Sequence, residues 1–80
     1  MFPIPFHNEL KVSLILKRNE TVRIDMFSID GKWVRSWQFS GKKGENLFVL
    51  NNLEGLPARI IYLVTGTYNG ERHFEKVYKY

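Results

Sequence analysis

The 80-residue chain contains no cysteine, so neither a disulfide nor a thiolate metal site can stabilise it. It also lacks an apolar run long enough to cross a bilayer, since its longest aliphatic–aromatic stretch is Ile60–Val64. The amino-terminal stretch has no basic region and no sustained apolar segment, which excludes a signal peptide there. Stability must therefore come from strand pairing and from apolar burial in one small domain, residues 1–80.

Charge and aromatic content are the informative parts of the composition. The net charge is +4, and aromatic residues make up 15% of the chain. The basic residues are scattered apart from the pairs Lys17–Arg18 and Lys42–Lys43. This balance permits contact with an anionic partner without requiring one.

Two-residue alternation of apolar and polar side chains runs through the chain, and helical spacing is nearly absent. Turn signals separate the alternating segments, as in an all-β sandwich or barrel that is mostly antiparallel. In the closing strand Phe74, Tyr78 and Tyr80 alternate with Glu75 and Lys79, which indicates that the aromatic side packs. About six strands are predicted: Leu10–Leu16, Val22–Met26, Trp33–Phe39, Leu47–Leu50, Ile60–Tyr68 and a strand from about Arg72 onward.

Glycine-containing turns mark the predicted connections. Asp30-Gly31 and Asn69-Gly70 are dipeptides favoured in two-residue type I′ hairpins, because both central residues of that turn need positive φ. The polar segment SGKKG, Ser40–Gly44, is predicted to be a hairpin loop. In the longer connection Asn51–Pro57, Leu53 and Leu56 are expected to plug an edge of the core.

Catalytic and metal-binding patterns are weak in this sequence. No serine or histidine sits in a glycine elbow, and the two histidines, His7 and His73, have no partner ligand at metal-binding spacing. Ser40–Gly44 lacks the spacing of a phosphate-binding loop. We therefore expect neither an enzyme nor a cofactor or metal site.

The segment KWVRSWQF, Lys32–Phe39, allows two interpretations. Trp33, Arg35 and Trp37 share one side of the alternation, as in the stacking platforms of single-strand nucleic-acid binders built on small β-barrels. The alternative is that the rings form the core, which is favoured because so short a domain needs them inside. A third hypothesis, an immunoglobulin-like adhesion or carbohydrate-binding module, predicts aromatic side chains exposed on one face.

Taken in order, four segments resemble the C-terminal sorting domain of the type IX secretion system of Bacteroidetes. PIPFHNELKVSL (Pro3–Leu14) resembles the opening of the family, and VRIDMFSIDGKWV (Val22–Val34) resembles its strand, D-x-x-G and strand. The family core of L-x-x-G-I-Y-L-L type resembles the segment Gly44–Gly70, and EKVYKY (Glu75–Tyr80) resembles the basic closing strand. The matching structural positions are Pro3, Pro5, Phe6, Asp30, Gly31, Leu56, Tyr62 and Gly70.

Three residues depart from the family pattern. Ile4 replaces an asparagine, Arg59 replaces a glycine, and Gly66 stands where an apolar strand residue is usual. An extra apolar residue near Ile60 predicts a bulge or irregularity within Ala58–Ile61, because one added residue reverses every later side chain. A left-handed conformation at Arg59 would cost of order 1 kcal/mol or more.

The resemblance implies an immunoglobulin-like antiparallel β-sandwich of about six or seven strands. It also implies a non-catalytic signal that follows a secreted cargo protein and is recognised by outer-membrane secretion machinery. A sortase-like surface peptidase would remove it, after passage through the periplasm to the cell surface of a Gram-negative bacterium. The expected recognition residues are Lys76, Val77, Tyr78, Lys79 and Tyr80, on an exposed edge strand. No nucleic-acid partner is expected, and a homodimer through sheet edges is possible.

Overall fold

A computed structural model describes residues 4–80. Seven β-strands account for most of this part of the chain, and none of its residues form a helix long and apolar enough to cross a membrane. The strands are β1 (Ile4–Phe6), β2 (Leu10–Leu16), β3 (Glu20–Ser28), β4 (Trp33–Gly41), β5 (Gly44–Leu50), β6 (Ile60–Tyr68) and β7 (Glu71–Lys79).

Two sheets of unequal width form the sandwich. The five-stranded sheet has the order β1-β7-β6-β3-β4, and the two-stranded sheet pairs β2 with β5. All pairs are antiparallel except β1 with β7. The predicted all-β sandwich is confirmed, and β2, β3, β5, β6 and β7 occupy the places of strands B, C, E, F and G in the immunoglobulin arrangement.

The core lies between the sheets and follows the alternation of the strands. The small sheet contributes inward leucines and Phe48, and the large sheet contributes side chains such as Val22, Met26 and Tyr62. Leu53 and Leu56 lie in the β5–β6 connection and are buried, which confirms their predicted role as a plug. Since the core has no disulfide, this burial and the strand pairing within the two sheets hold the fold together.

The two predicted type I′ hairpins have different outcomes. At Asn69-Gly70 both residues have positive φ, 54° and 74°, and Tyr68 lies directly opposite Glu71, so the prediction is confirmed. At Asp30-Gly31 the prediction is wrong, because only Gly31 has positive φ and its N–H donates to the carbonyl of Ser28. The result is a longer loop, and the β3–β4 register shifts between Met26 and Phe27.

The side chain of Ser28 accounts for the wider loop after β3. Its hydroxyl donates to the Asp30 carboxylate and accepts a hydrogen bond from the N–H of Lys32. The bond from Ser28 is the main reason that the pKa of Asp30 lies below its usual value. Local side-chain bonds of this kind compete with the tight two-residue turn.

The predicted hairpin at Ser40–Gly44 is also wrong, because the chain changes sheets there. β4 ends at Gly41 in the large sheet, and β5 begins at Gly44 in the small one. Gly41 is packed so tightly that a Cβ atom would collide with Cδ1 of Leu16. A glycine is therefore required for close approach of the two layers at this crossing.

The irregularity predicted within Ala58–Ile61 lies before the strand and not inside it. Ala58 and Arg59 form a bend, and Arg59 has a φ of 60°, so its backbone is in the left-handed conformation. From Ile60 onward, β6 pairs with β7 in unbroken register. The irregularity is therefore confined to the bend, and β6 contains no bulge.

Candidate functional site

The closing strand β7 is not the exposed edge strand that the sequence predicted. β6 pairs with it over its whole length, and β1 pairs with it in parallel along Val77–Lys79. β1 contains Pro5, which has no N–H to donate and is therefore suited to the edge position of the sheet. The carboxyl-terminal part of β7 is covered on both sides, whereas no strand of residues 4–80 lies beside Glu71–Lys76 on the side of β1.

The inward side of β7 is also the opposite of the predicted one. Val77 lies opposite the buried Tyr62 and is 1% exposed, and Lys79 is 3% exposed. Phe74, by contrast, is 69% exposed, and Tyr80 is exposed as well. The prediction that the aromatic side packs is wrong, because the register with β6 turns the odd-numbered residues of β7 toward the core.

Lys79 is held by backbone carbonyls and not by a carboxylate. Its Nζ donates to the carbonyl oxygens of Glu54 at 3.0 Å and Leu56 at 2.6 Å. Its own carbonyl accepts a hydrogen bond of 2.6 Å from the N–H of Arg59. The side chain thereby satisfies carbonyls of the turn that holds Leu53 and Leu56, which makes Lys79 a structural residue.

The even-numbered residues of the predicted recognition set face outward. Lys76 is exposed and lies opposite Leu63, while Tyr78 is half-buried between Ile61 and Pro5. Together with Tyr80 they present one cationic and two phenolic groups on the outer side of the large sheet. These three side chains are the accessible part of the site.

Tyr80 has a partner that the sequence did not indicate. The ring of His7 stacks on the ring of Tyr80 with 5.3 Å between centroids, and Nδ1 of His7 lies 3.0 Å from the carbonyl oxygen of Tyr80. The N–H of Tyr80 also donates to the carbonyl of Phe6 at 3.2 Å. No local pattern signals a contact between residues 73 positions apart, so only the parallel pairing of β1 reveals it.

The positions matched to the sorting-domain family are mainly structural in this fold. Phe6 packs edge-on against Tyr62 with centroids 6.2 Å apart, and the Tyr62 hydroxyl donates to the carbonyl of Pro57 at 2.8 Å. Burial raises the pKa of the Tyr62 hydroxyl, so it remains a protonated donor. A tyrosine at the start of this strand that bonds back to the preceding corner is a feature of immunoglobulin-like domains.

The remaining matched positions lie in turns or outside the described part of the chain. Asp30 and Gly31 form the β3–β4 loop, Gly70 completes the type I′ turn, and Leu56 plugs the core. Pro3 lies outside the described residues.

The tryptophan strand does not present one platform. The register shift at Met26 and Phe27 places Trp33 opposite Phe27 on the outer face, where it is 59% exposed. Trp37 packs against the core, and Arg35 lies opposite the buried Met26 on the inward side. The prediction that these three residues share one face is therefore wrong. One bulged residue places Trp33 on the face opposite to that of Arg35 and Trp37.

Metal-ligating side chains were also compared across the described part of the chain. Within residues 4–80, no group of three or more histidine, aspartate or glutamate side chains is arranged to hold a metal ion. Comparison of the chain with protein-family models, with curated proteins and with solved structures found no match. The case for a function therefore rests on the residues themselves and on their geometry.

Proposed function

We propose that this chain is a non-catalytic sorting domain that directs a preceding cargo protein through type IX secretion machinery to the cell surface. The observation that carries the proposal is the ordered set of motifs from Pro3 to Tyr80, which resembles that family along nearly the whole sequence. The β-sandwich supports it, because the resemblance implies this fold. The residues matched to the family motifs contribute mainly to core and turns, as a signal recognised in the folded state requires.

Recognition is assigned to the outward residues of the closing segment. Lys76, Tyr78 and Tyr80 are accessible, whereas Val77 and Lys79 are buried and hold the strand in place. A partner would read side chains that stand on a fixed strand, which lowers the entropic cost of binding. The sortase-like peptidase would act on the polypeptide that joins the cargo to this domain.

The test uses a cargo with its own signal peptide, fused before this chain and expressed in a bacterium that has type IX secretion. We expect Lys76→Glu combined with Tyr78→Ala to leave the cargo in the periplasm, because it removes the cationic and phenolic groups of the site. Lys42→Glu together with Trp33→Ala is the matched control, since it makes the same changes in charge and aromatic content at exposed positions outside the closing strand.

Circular dichroism of both variant domains separates loss of recognition from loss of the fold. The proposal is supported if the site variant folds normally and its cargo remains in the periplasm while the control cargo reaches the surface. Surface delivery of a folded site variant at the normal level would refute the assignment of recognition to these residues. Failure of the unaltered fusion to reach the surface would refute the sorting function itself.

A further inference from the structure

A groove of about 390 Å³ lies between β2 and the open half of β7. Consecutive residues line it, namely Leu10–Leu14 on one wall and His73–Glu75 on the other. Because side chains alternate along a strand, a run of consecutive lining residues means that the backbone edges of β2 and β7 face the groove. Both walls therefore offer main-chain hydrogen-bonding groups.

The β2 wall has unpaired donors and acceptors that point into the groove. The Asn69 side chain donates to the carbonyl of Ile15 and accepts from the N–H of Lys17, each at 2.8 Å. These bonds show that the odd-numbered residues of β2 direct their backbone groups away from β5. Lys11 and Ser13 share that direction, and their backbone groups have no hydrogen-bond partner among residues 4–80.

The β7 wall is open for the same geometric reason. The N–H of Tyr80 points toward β1, where it donates to Phe6, so even-numbered residues of β7 face that edge. β1 begins at Ile4, opposite Val77, so no strand formed by residues 4–80 lies beside the N–H and C=O of Phe74. Among residues 4–80, the groove runs from Tyr68, next to Asn69, to Ile4 at the start of β1.

We propose that this groove is an acceptor site for an extended peptide segment of another protein, which pairs with β2 as a third strand of the small sheet. The side-chain amide of Asn69 already offers one carbonyl and one N–H to the backbone of β2, at Lys17 and Ile15. An extended peptide would offer the same two groups at every second residue along the rest of this strand edge. The two-stranded sheet is about 10 Å wide and the five-stranded sheet about 24 Å wide, so the small sheet leaves much of the large sheet uncovered. A third strand beside β2 would cover part of that surface.

Side chains in the groove define the chemistry of the segment that fits. Ile24, Val64 and Val77 provide an apolar floor, and Gly66 has no side chain to occupy the space above it. Inward positions of the peptide are therefore apolar, and one of them is preferably basic to face Glu75 on the β7 wall. Binding in solution needs no secretion machinery, so the acceptor role stands or fails independently of the sorting function.

The test measures amide hydrogen exchange of the full chain with and without a probe peptide. The probe is a short peptide of alternating threonine and valine with one central lysine, acetylated and amidated at its ends. We expect the probe to slow exchange at the amides of Lys11 and Ser13 by about tenfold or more. The amides of Leu47 and Val49, on the opposite edge of the small sheet, should not change.

Ser13→Pro and Leu47→Pro form a matched pair, because the two residues lie directly opposite each other and each points its N–H toward a free edge. We expect Ser13→Pro to weaken probe binding by about tenfold and Leu47→Pro to leave it unchanged. Exchange mapping of the unaltered chain keeps the test decisive if either variant fails to fold.

Three results would overturn the acceptor site. The first is an absence of protection at Lys11 and Ser13 at millimolar probe, and the second is equal probe binding by a folded Ser13→Pro variant. The third is protection of the same amides without probe that disappears on dilution, because a second copy of this chain would then occupy the groove.

Discussion

The two halves of β7 differ although they share one strand, one neighbour and one alternation. Val77–Lys79 lies between β6 and β1, and its inward side chains are buried. Among the described strands, Glu71–Lys76 pairs only with β6, and the inward positions of this part carry His73 and Glu75 beside a groove. The inward side chains of β7 are buried only where β1 and the β5–β6 connection cover the strand, which is at Val77–Lys79.

This difference separates residues that hold the strand from residues that can meet a partner. In the covered half, Val77 belongs to the hydrophobic core. The buried Lys79 side chain donates hydrogen bonds to the backbone carbonyls of Glu54 and Leu56. In the open half, the strand edge remains available, and Lys76 at its boundary faces outward. A closing strand can therefore be fixed in the fold and still present a surface.

The largest effect is expected from deletion of residues 76–80, which removes the covered half. The deletion takes Val77 and Lys79 from the core and leaves β1 without its only pairing strand. Because a small domain has only about 5 kcal/mol of stability, we expect the truncated chain to be unfolded by far-ultraviolet circular dichroism. Cooperative unfolding of the truncated chain in urea would contradict the structural role of this half.

The next largest effect distinguishes the two lysines. We expect Lys79→Ala to lower the free energy of unfolding by about 2–3 kcal/mol, because two carbonyls lose their donor and a buried stem is removed. Lys76→Ala, on the exposed outer side, should change it by less than about 0.5 kcal/mol. Urea titration measures both, and equal losses would show that burial does not separate these residues.

A smaller gain is expected at Arg59, whose N–H bonds to the covered half. Arg59→Gly relieves the left-handed backbone at φ 60° while the N–H that donates to Lys79 remains. We expect the free energy of unfolding to rise by about 1 kcal/mol. Asn52→Gly, at φ 62°, is the control with a smaller gain, because asparagine tolerates this conformation better than arginine. Destabilisation by Arg59→Gly would contradict the presence of strain.

The smallest effect is expected at Gly66, which lies opposite His73 in the open half. A Cβ atom there would meet its nearest neighbours at 3.7 Å or more, so Gly66→Ala should raise the free energy of unfolding by about 0.5 kcal/mol. Gly41→Ala should lower it by about 1–3 kcal/mol, because the added methyl group collides with Leu16. If thermal unfolding showed that Gly66→Ala and Gly41→Ala lower the free energy of unfolding by similar amounts, the space above Gly66 would be closed.

Local sequence patterns predicted the strands and several connections. The alternation located six of the strands, Asn69-Gly70 predicted its turn, and Leu53 and Leu56 were correctly placed in the core. Each of these features depends on neighbouring residues or on the two-residue alternation of side chains. The sequence alone is therefore sufficient to predict them.

Features that depend on distant contacts were missed or wrong. β1 has only three residues and a proline, so its parallel pairing with β7 leaves no alternation to detect. The burial of Lys79 depends on carbonyls about 25 residues away, and the separation of Trp33 from Trp37 depends on one register shift. The sequence therefore did not show which side chains of the closing segment are accessible and which are buried.

Amide hydrogen exchange along β7 of the unaltered chain tests the contrast between its two halves most directly. The N–H groups of Phe74, Tyr78 and Tyr80 all point toward the edge on which β1 lies. We expect slow exchange at Tyr78, which β1 covers, and fast exchange at Phe74, beside which residues 4–80 place no strand. Equally slow exchange at Phe74 and Tyr78, or fast exchange at both, would contradict a strand that is half fixed and half open.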